Sequence, residues 1–494
     1  GADVHLPTDE QIPIIESLHN GPSLIIAGAG SGKTETMSAR VVWLVANEIV
    51  TPDQILGLTF TRKAAGELSA RIRKRLRQLK ATGVISNQGL DLAANVSTYH
   101  SYAGKVLEEH AIRLGIDVDG EPIGEAAAWQ IANSIVQNYE LELKDIEHAP
   151  ATIVTKLLDL VGQLGEHGKT YSDLKRVSEQ WLEVYQQVEG KSNEKVRKAI
   201  STLKERLALI PLIERFENHR KENGLSTFND QMAWAAELMQ SEFAIEIARN
   251  ERNKHRIVLL DEYQDTSYSQ VRFLSGLYGS NSELGLHRTT AVGDPNQSIY
   301  GWRSASAGTI AAFANEFGGE KETKRFSLQT TWRNEESILG LANQTIEELK
   351  QVIPETQDFI KVRANMEIVK ELKARPKAKS GEVAVGHYES LALEAEAIAD
   401  YFEAGWKAPE RLALPERKRS SFAVLVRSRK YIPEIEQSLR SRGIPVEVVG
   451  LGGLIHVPEV ADLIALVRTL INPDAGSSLM RLLIGPHLAL GPRD

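Results

Sequence analysis

The strongest constraint on this chain is the run Ala27-Gly28-Ala29-Gly30-Ser31-Gly32-Lys33-Thr34. It follows an apolar stretch, Leu24-Ile25-Ile26. It leads into a helical pattern of Met37, Val41, Leu44 and Val45. Strand, small-residue turn and helix in that order form a phosphate-binding loop. Small residues let successive backbone N–H groups wrap phosphate oxygens at a helix N-terminus, where the helix dipole favours negative charge. Lys33 then reaches the β- and γ-phosphates, and the Thr34 hydroxyl binds Mg²⁺. Ala27 occupies the position where the general pattern has its first glycine.

A second run complements the first. Ile257-Val258-Leu259-Leu260 reads as a buried strand, and it ends in Asp261-Glu262. Asp261 suits the coordination sphere of Mg²⁺, and Glu262 suits orienting and deprotonating a water. Ile55 to Leu58 and Phe422 to Val426 are further short apolar runs bounded by turn signals. Such runs separated by helical patterns predict a parallel α/β sheet. Residues 106–224 lack a strand pattern. Ile153, Leu157, Leu160, Val161 and Leu164 share one helical face, and Trp181, Val184, Tyr185 and Val188 share another. That stretch is expected to be an all-helical insertion. The segments 375–381 and 405–420 read as surface connections.

Composition narrows the function. The 494 residues suggest about three domains. Cysteine is absent, which excludes disulfides, thiolate metal sites and cysteine nucleophiles. No run of about 18 apolar residues is present, so no membrane span is expected, and a cytoplasmic protein is the expectation. The net charge of −8 argues against a protein that simply coats DNA, yet permits one local strand-holding groove.

Six more segments decide among phosphate-loop proteins. They are Thr8-Asp9-Glu10-Gln11, Leu58-Thr59-Phe60-Thr61-Arg62-Lys63-Ala64-Ala65, Ser97-Thr98-Tyr99-His100-Ser101, Asp261-Glu262-Tyr263-Gln264-Asp265-Thr266, Val292 through Arg303, and Gln329-Thr330-Thr331-Trp332-Arg333-Asn334. In sequence and order they resemble the motifs of superfamily 1 helicases of the UvrD/Rep/PcrA type. Phe60 with Arg62 and Lys63, Tyr99 with His100, and Tyr300 and Trp302 with Arg303 interleave aromatics and cations, as a sequence-blind reader of single strands requires. The basic run from Arg71 to Lys80 reads as a solvated helix face.

The resemblance implies two RecA-like domains with parallel sheets that bind ATP and Mg²⁺. Gln11 would read the adenine edge, residues 27–34 would hold the phosphates, Gln297 would sense the γ-phosphate, and Arg333 would be an arginine finger. Trp332, where many relatives have Tyr, would stack on adenine. Glu35 stands where relatives often have Arg. Thr59, Phe60, Arg62, Thr98, His100, Tyr300, Trp302 and Arg303 would contact DNA. The first RecA-like domain would span 1–105 and 225–320, with the insertion at 106–224. The second, incomplete, would span 321–451, and 452–494 would start a second helical insertion. Motifs V and VI are not found, so the chain reads as a truncated form and is expected to hydrolyse ATP poorly. The expected function is a 3′–5′ DNA helicase acting on single strands and duplex junctions, with repair or recombination proteins as partners. The helicase arm of a helicase–nuclease and a catalytically inactive DNA-binding relative stay open as alternatives.

Overall fold

The computed structural model describes residues 6–81, 83, 93–115, 123–139, 146, 148–187, 194–301, 308–352, 369–449, 458–471, 475–485 and 488–491. Gly1–Glu382 forms one compact unit and Val383–Asp494 another.

The first unit is built on six strands: β1 (Ser23–Ala27), β2 (Ile55–Thr59), β3 (Asn95–Thr98), β4 (Ile257–Leu260), β5 (Thr289–Gly293) and β6 (Lys324–Leu328). Their order is β3-β2-β4-β5-β1-β6, and every pairing is parallel. β1, β2, β4 and β5 are buried throughout. Alternation along the strands serves two cores at once. Leu24 and Ile26 of β1, with Val258 and Leu260 of β4, face one apolar cluster. Ile25 and Ala27, with Ile257 and Leu259, face the other.

The second of these cores is covered by α1 (Ile12–Ile15), α2 (Lys33–Ala46) and α3 (Arg62–Ala81). The first is covered by α4 (Tyr99–His110), together with helices that follow the insertion. α3 shows why a basic run can close a core. Ala65, Leu68, Ile72 and Leu76 form its buried stripe, while Arg73, Lys74 and Arg77 stay exposed.

α5 (Glu125–Gln137), α6 (Pro150–Glu166), α7 (Tyr171–Gln186) and α8 (Glu194–Glu222) form the expected helical stretch. α5, α6 and α8 share a core of their own that includes Ala132, Val154, Leu157, Leu212 and Phe216. The α7 face carrying Trp181 and Val184 is exposed, so its periodicity does not mark a core. Val188 lies outside the described residues. At the other end, Val106 of α4 belongs to the sheet core rather than to the insertion.

α9 (Phe228–Leu238), α10 (Ala244–Lys254), α11 (Tyr268–Tyr278) and α12 (Thr309–Phe317) complete the layer on the first core. β6, which the sequence reading assigned to the second domain, pairs with β1 and is an edge of the first sheet. Its neighbour fixes it there: five residues from Lys324 to Leu328 run in register with Ser23 to Ala27. Beyond it come β7 (Thr330–Thr331), α13 (Glu336–Val352) and β8 (Lys373–Ala374), with β7 and β8 paired in parallel.

The second unit contains α14 (Leu391–Trp406), α15 (Pro409–Leu412), α16 (Ile432–Ser441), α17 (Pro458–Ile471) and α18 (Gly476–Ile484). α14 and α16 pack through Ala395, Ala399, Ile435 and Leu439. Phe422–Val426, expected as a strand, has no ladder partner among the described residues. Instead Phe422 packs on Phe402 and Trp406, and Val426 lies against the α14–α16 core. The chain is mixed α/β with a parallel sheet and many helices, as expected. Among the described residues the second sheet is limited to β7 and β8.

Candidate nucleotide site and DNA-facing surface

In a parallel sheet the loops after the carboxyl ends of the strands gather on one edge, where such sheets bind ligands. Here those loops carry the sequence motifs. Gly28–Gly32 follows β1, Thr61–Lys63 follows β2, Tyr99 follows β3, Asp261 follows β4, Asp294–Tyr300 follows β5, and Gln329–Arg333 follows β6.

The loop after β1 is shaped by its glycines. Gly30 and Gly32 have φ of +75° and +87°, a region that side chains rarely adopt. A Cβ on Gly30 would lie 2.6 Å from both the Arg333 Cβ and the Thr331 hydroxyl. α2 then begins at Lys33 with Gly32 as its N-cap and no side-chain cap, which leaves its first N–H groups for an anion. Among the described residues, the buried Ser31 hydroxyl has no hydrogen-bond partner. Lone buried polar groups are costly, and phosphate oxygens suit them, so these residues fit a nucleotide. Thr34, half-buried, is the next residue along α2.

Gln11 is buried beside this loop. Its Oε1 accepts the Thr8 N–H at 3.1 Å, and its Nε2 lies 3.0 Å from where a Cβ on Gly32 would sit. Arg40 pins α1 from below. Its Nη1 donates to the carbonyls of Ile14, Ile15 and Ser17 at 2.7, 3.3 and 2.9 Å. Burial, and then Arg288, lower this guanidinium to about 10, so it remains charged at neutral pH.

The acidic wall stands opposite. Lys33 Nζ meets Glu262 Oε2 at 3.0 Å. Glu262 has φ +49°, a strained backbone for a non-glycine residue, costing ~1–3 kcal/mol. The Asp261 Oδ1 accepts the Glu262 N–H at 3.0 Å. Burial, and then the Glu262 charge, push the Asp261 carboxyl up to about 6. Asp265 is raised to about 6 by the same two causes, and its buried Oδ1 has no hydrogen-bond partner among the described residues.

Gln264 ties this wall to the loop after β5. Its Nε2 donates to Glu262 Oε2 at 2.7 Å, and its Oε1 accepts the Asp294 N–H at 3.1 Å. Gln297 Nε2 donates in turn to Asp294 Oδ2 at 2.7 Å. Farther along the same loop, Tyr300 stacks on Phe60, with centroids 4.8 Å apart and planes at 28°. Arg62 is exposed beyond Phe60, and His100 is half-buried. Trp302 and Arg303 lie outside the described residues.

Three residues of these motifs make structural bonds: Thr59 and Thr98, which were expected to contact DNA, and Tyr99. Thr59 is fully buried and donates its hydroxyl to the Thr61 carbonyl at 3.1 Å. Thr98 is the N-cap of α4, accepting the Ser101 N–H at 3.1 Å. Tyr99 is buried and donates to the Asp261 carbonyl at 2.8 Å.

The segment after β6 is held against the phosphate loop. The Trp332 N–H donates to the Gly30 carbonyl at 2.8 Å, while its ring is half-exposed. Arg333 is exposed, with its Cβ near Gly30. Glu10 fixes this arrangement by accepting the N–H groups of Gln329 and Thr330, at 3.0 and 3.1 Å, and the Thr330 hydroxyl at 3.2 Å. Sequence reading gave no role to Glu10, Gln264 or Asp265. Their position inside the quoted motifs was the only signal. Glu35 pairs with Arg71 at 3.4 Å and with Arg75, so part of the basic face of α3 serves this end of α2.

Fold and site together define a phosphate-loop nucleotide site on a parallel sheet, with aromatics on the same edge. Two domain families account for nearly all of the chain: the UvrD/REP helicase N-terminal domain matches residues 8–318, and the UvrD-like helicase C-terminal domain matches residues 326–494. The chain belongs to the UvrD/REP helicase family. It is 28% identical over 483 residues to the ATP-dependent DNA helicase UvrD1 of Mycobacterium tuberculosis, covering 96% of this chain and 54% of that protein. It is 25% identical over 472 residues to the ATP-dependent DNA helicase PcrA of Staphylococcus epidermidis, covering 96% and 55%. It is 25% identical over 494 residues to a probable DNA helicase II homolog of Rickettsia conorii, covering 99% and 64%. The chain thus spans a little over half to nearly two-thirds of the length of these relatives. Among the described residues, no helix is long and apolar enough to cross a membrane.

Proposed function

We propose that this protein couples ATP hydrolysis to 3′–5′ movement along single-stranded DNA, opening duplex at junctions. The observation that carries the reading is the hydrogen-bonded path from Lys33 and Glu262 through Gln264 and Asp294 to Gln297, in the loop whose Tyr300 stacks on Phe60. Family membership supports the ATP-dependent helicase activity, and the 3′–5′ direction rests on the resemblance.

In this reading Gln11 and Trp332 hold the adenine, and the amides of residues 28–34 with Lys33 hold the phosphates. Thr34 and Asp261 would hold Mg²⁺, which neutralises charge on the phosphates when bound. Glu262 orients the attacking water and accepts its proton. Arg333 supplies positive charge to the phosphoryl group in transfer. Gln297 reports the state of the phosphates to the loop that carries Tyr300. Phe60, Tyr300, Arg62, His100, Trp302 and Arg303 grip the DNA strand. Repair or recombination proteins are the partners in keeping with this activity.

The test is ATP hydrolysis with and without single-stranded DNA, followed by unwinding of duplexes bearing a 3′ or a 5′ tail. Stimulation by DNA and preference for the 3′ tail are expected. Absence of hydrolysis would favour the inactive DNA-binding relative, and preference for the 5′ tail would overturn the polarity.

A further inference from the structure

Glu262 Oε2 receives two donors, Lys33 at 3.0 Å and Gln264 at 2.7 Å. Lys33 is also the group suited to the phosphates. With its ammonium drawn to them, Gln264 is the donor left to fix the direction of the Glu262 carboxylate. The other end of the same amide is committed elsewhere. Its Oε1 accepts the Asp294 N–H at 3.1 Å, and its backbone carbonyl accepts the Ser298 hydroxyl at 3.3 Å. Packing holds the amide in place. Gln264 is buried, and a Cβ on Gly293 would lie 2.6 Å from its Oε1. Only a side chain with a donor and an acceptor on one planar group makes both bonds.

We infer that Gln264 is a positioning residue that transmits displacement of the DNA-gripping loop at Asp294–Tyr300 to the water-orienting Glu262, so that strand engagement sets the rate of hydrolysis. This inference rests on the helicase reading above and deepens it by naming the element that carries the regulation. A shift of the loop moves Asp294, the Asp294 N–H draws on the amide oxygen, and the amide nitrogen re-aims Glu262. Among the described residues, the side-chain hydrogen bonds of Gln264 run to Glu262, Asp265 and Asp294, none of which lies in the phosphate loop or in the Phe60–Tyr300 stack.

The experiment compares wild type with Gln264→Ala and Gln264→Glu in the full-length protein. Gln264→Glu retains shape and an acceptor but cannot donate to Glu262. Three readouts are taken: basal ATPase rate, the ratio of DNA-stimulated to basal rate, and affinity for a fluorescent single-stranded oligonucleotide without nucleotide. Both variants should bind the oligonucleotide as wild type does, and basal turnover should fall to some extent in both, because Glu262 loses the Gln264 donor. The stimulation ratio should fall by about tenfold, within the range expected of a residue on a coupling path. A wild-type stimulation ratio in either folded variant overturns the inference. So does failure of both variants to fold, which would make Gln264 a structural residue. Wild-type protein that hydrolyses ATP without any response to DNA overturns the helicase reading itself, which separates the two failures.

Discussion

Replacing Asp261 by Asn should stabilise the fold while abolishing hydrolysis. Asp261 is buried, and burial followed by the Glu262 charge raises its carboxyl from the usual 3.8 to about 6. A displacement of roughly two pH units corresponds to ~3 kcal/mol of folded-state penalty on the ionised form at pH 7. The sign is opposite to that of a salt-bridged aspartate. Between about pH 4 and 6 the folded state binds more protons than the unfolded one, so stability rises as the pH falls through that window. Asn is neutral throughout and keeps the oxygen that accepts the Glu262 N–H. Urea unfolding in EDTA at pH 7 should therefore show Asp261→Asn more stable by ~1–3 kcal/mol. On moving to pH 5 the wild type should gain on the order of 1 kcal/mol from Asp261 that the variant lacks. Asp265, raised by the same causes, keeps its own share in both proteins. A variant no more stable at pH 7, with an unchanged dependence on pH, would refute the argument that burial strains this carboxylate.

Lys33→Ala should abolish ATP hydrolysis and leave single-strand affinity within several-fold. A loss beyond about tenfold, ~1.4 kcal/mol, in a folded variant would contradict separate nucleotide and DNA faces. Phe60→Ala should weaken oligonucleotide binding by ~1–3 kcal/mol, as for loss of one base–aromatic stack, with basal ATPase retained. Unchanged anisotropy titrations would reduce Phe60 to a packing partner of Tyr300. Arg40→Ala removes a charged donor from three carbonyls. It should lower stability by on the order of 3 kcal/mol and erode the preference for ATP over GTP, because α1 follows directly on Gln11. Wild-type stability and base preference would dissociate Arg40 from the adenine site.

Legibility of the strands needed burial and apolar side chains together: β5 is buried throughout, but Thr-Thr-Ala-Val-Gly gave no apolar run. β1, β2 and β4 were readable because both of their faces are covered, so they are continuous apolar runs. β3 (Asn-Val-Ser-Thr) and β6 (Lys-Arg-Phe-Ser-Leu) are edge strands with exposed ends and carry no such signal. That is why the first domain was expected to end before β6. The phosphate loop was legible from spacing alone, since contiguous residues build it. The duties of Glu10, Tyr99 and Gln264 were not, because each bonds to a segment distant in sequence or to a backbone group. Periodicity located α7 as a helix but could not show that its Trp181 and Val184 face solvent. The local bonds of Thr59 and Thr98, to the Thr61 carbonyl and from the Ser101 N–H, likewise left no mark in the sequence pattern.

The strand order has a cost during synthesis. β1 has two neighbours, β5 and β6, and both are encoded beyond the helical insertion. The ribosome must add about 300 residues after Ala27 before Leu328 is available to close the second flank of Ser-Leu-Ile-Ile-Ala. At about 5–20 residues per second that is roughly 15–60 s. Until β5 (Thr289–Gly293) is made, which is most of that interval, an apolar segment able to pair on both sides has no native neighbour, which is a hazard for association between nascent chains. Chaperone occupancy of the emerging first hundred residues, lost once β6 has emerged, is the behaviour this topology demands of the cell.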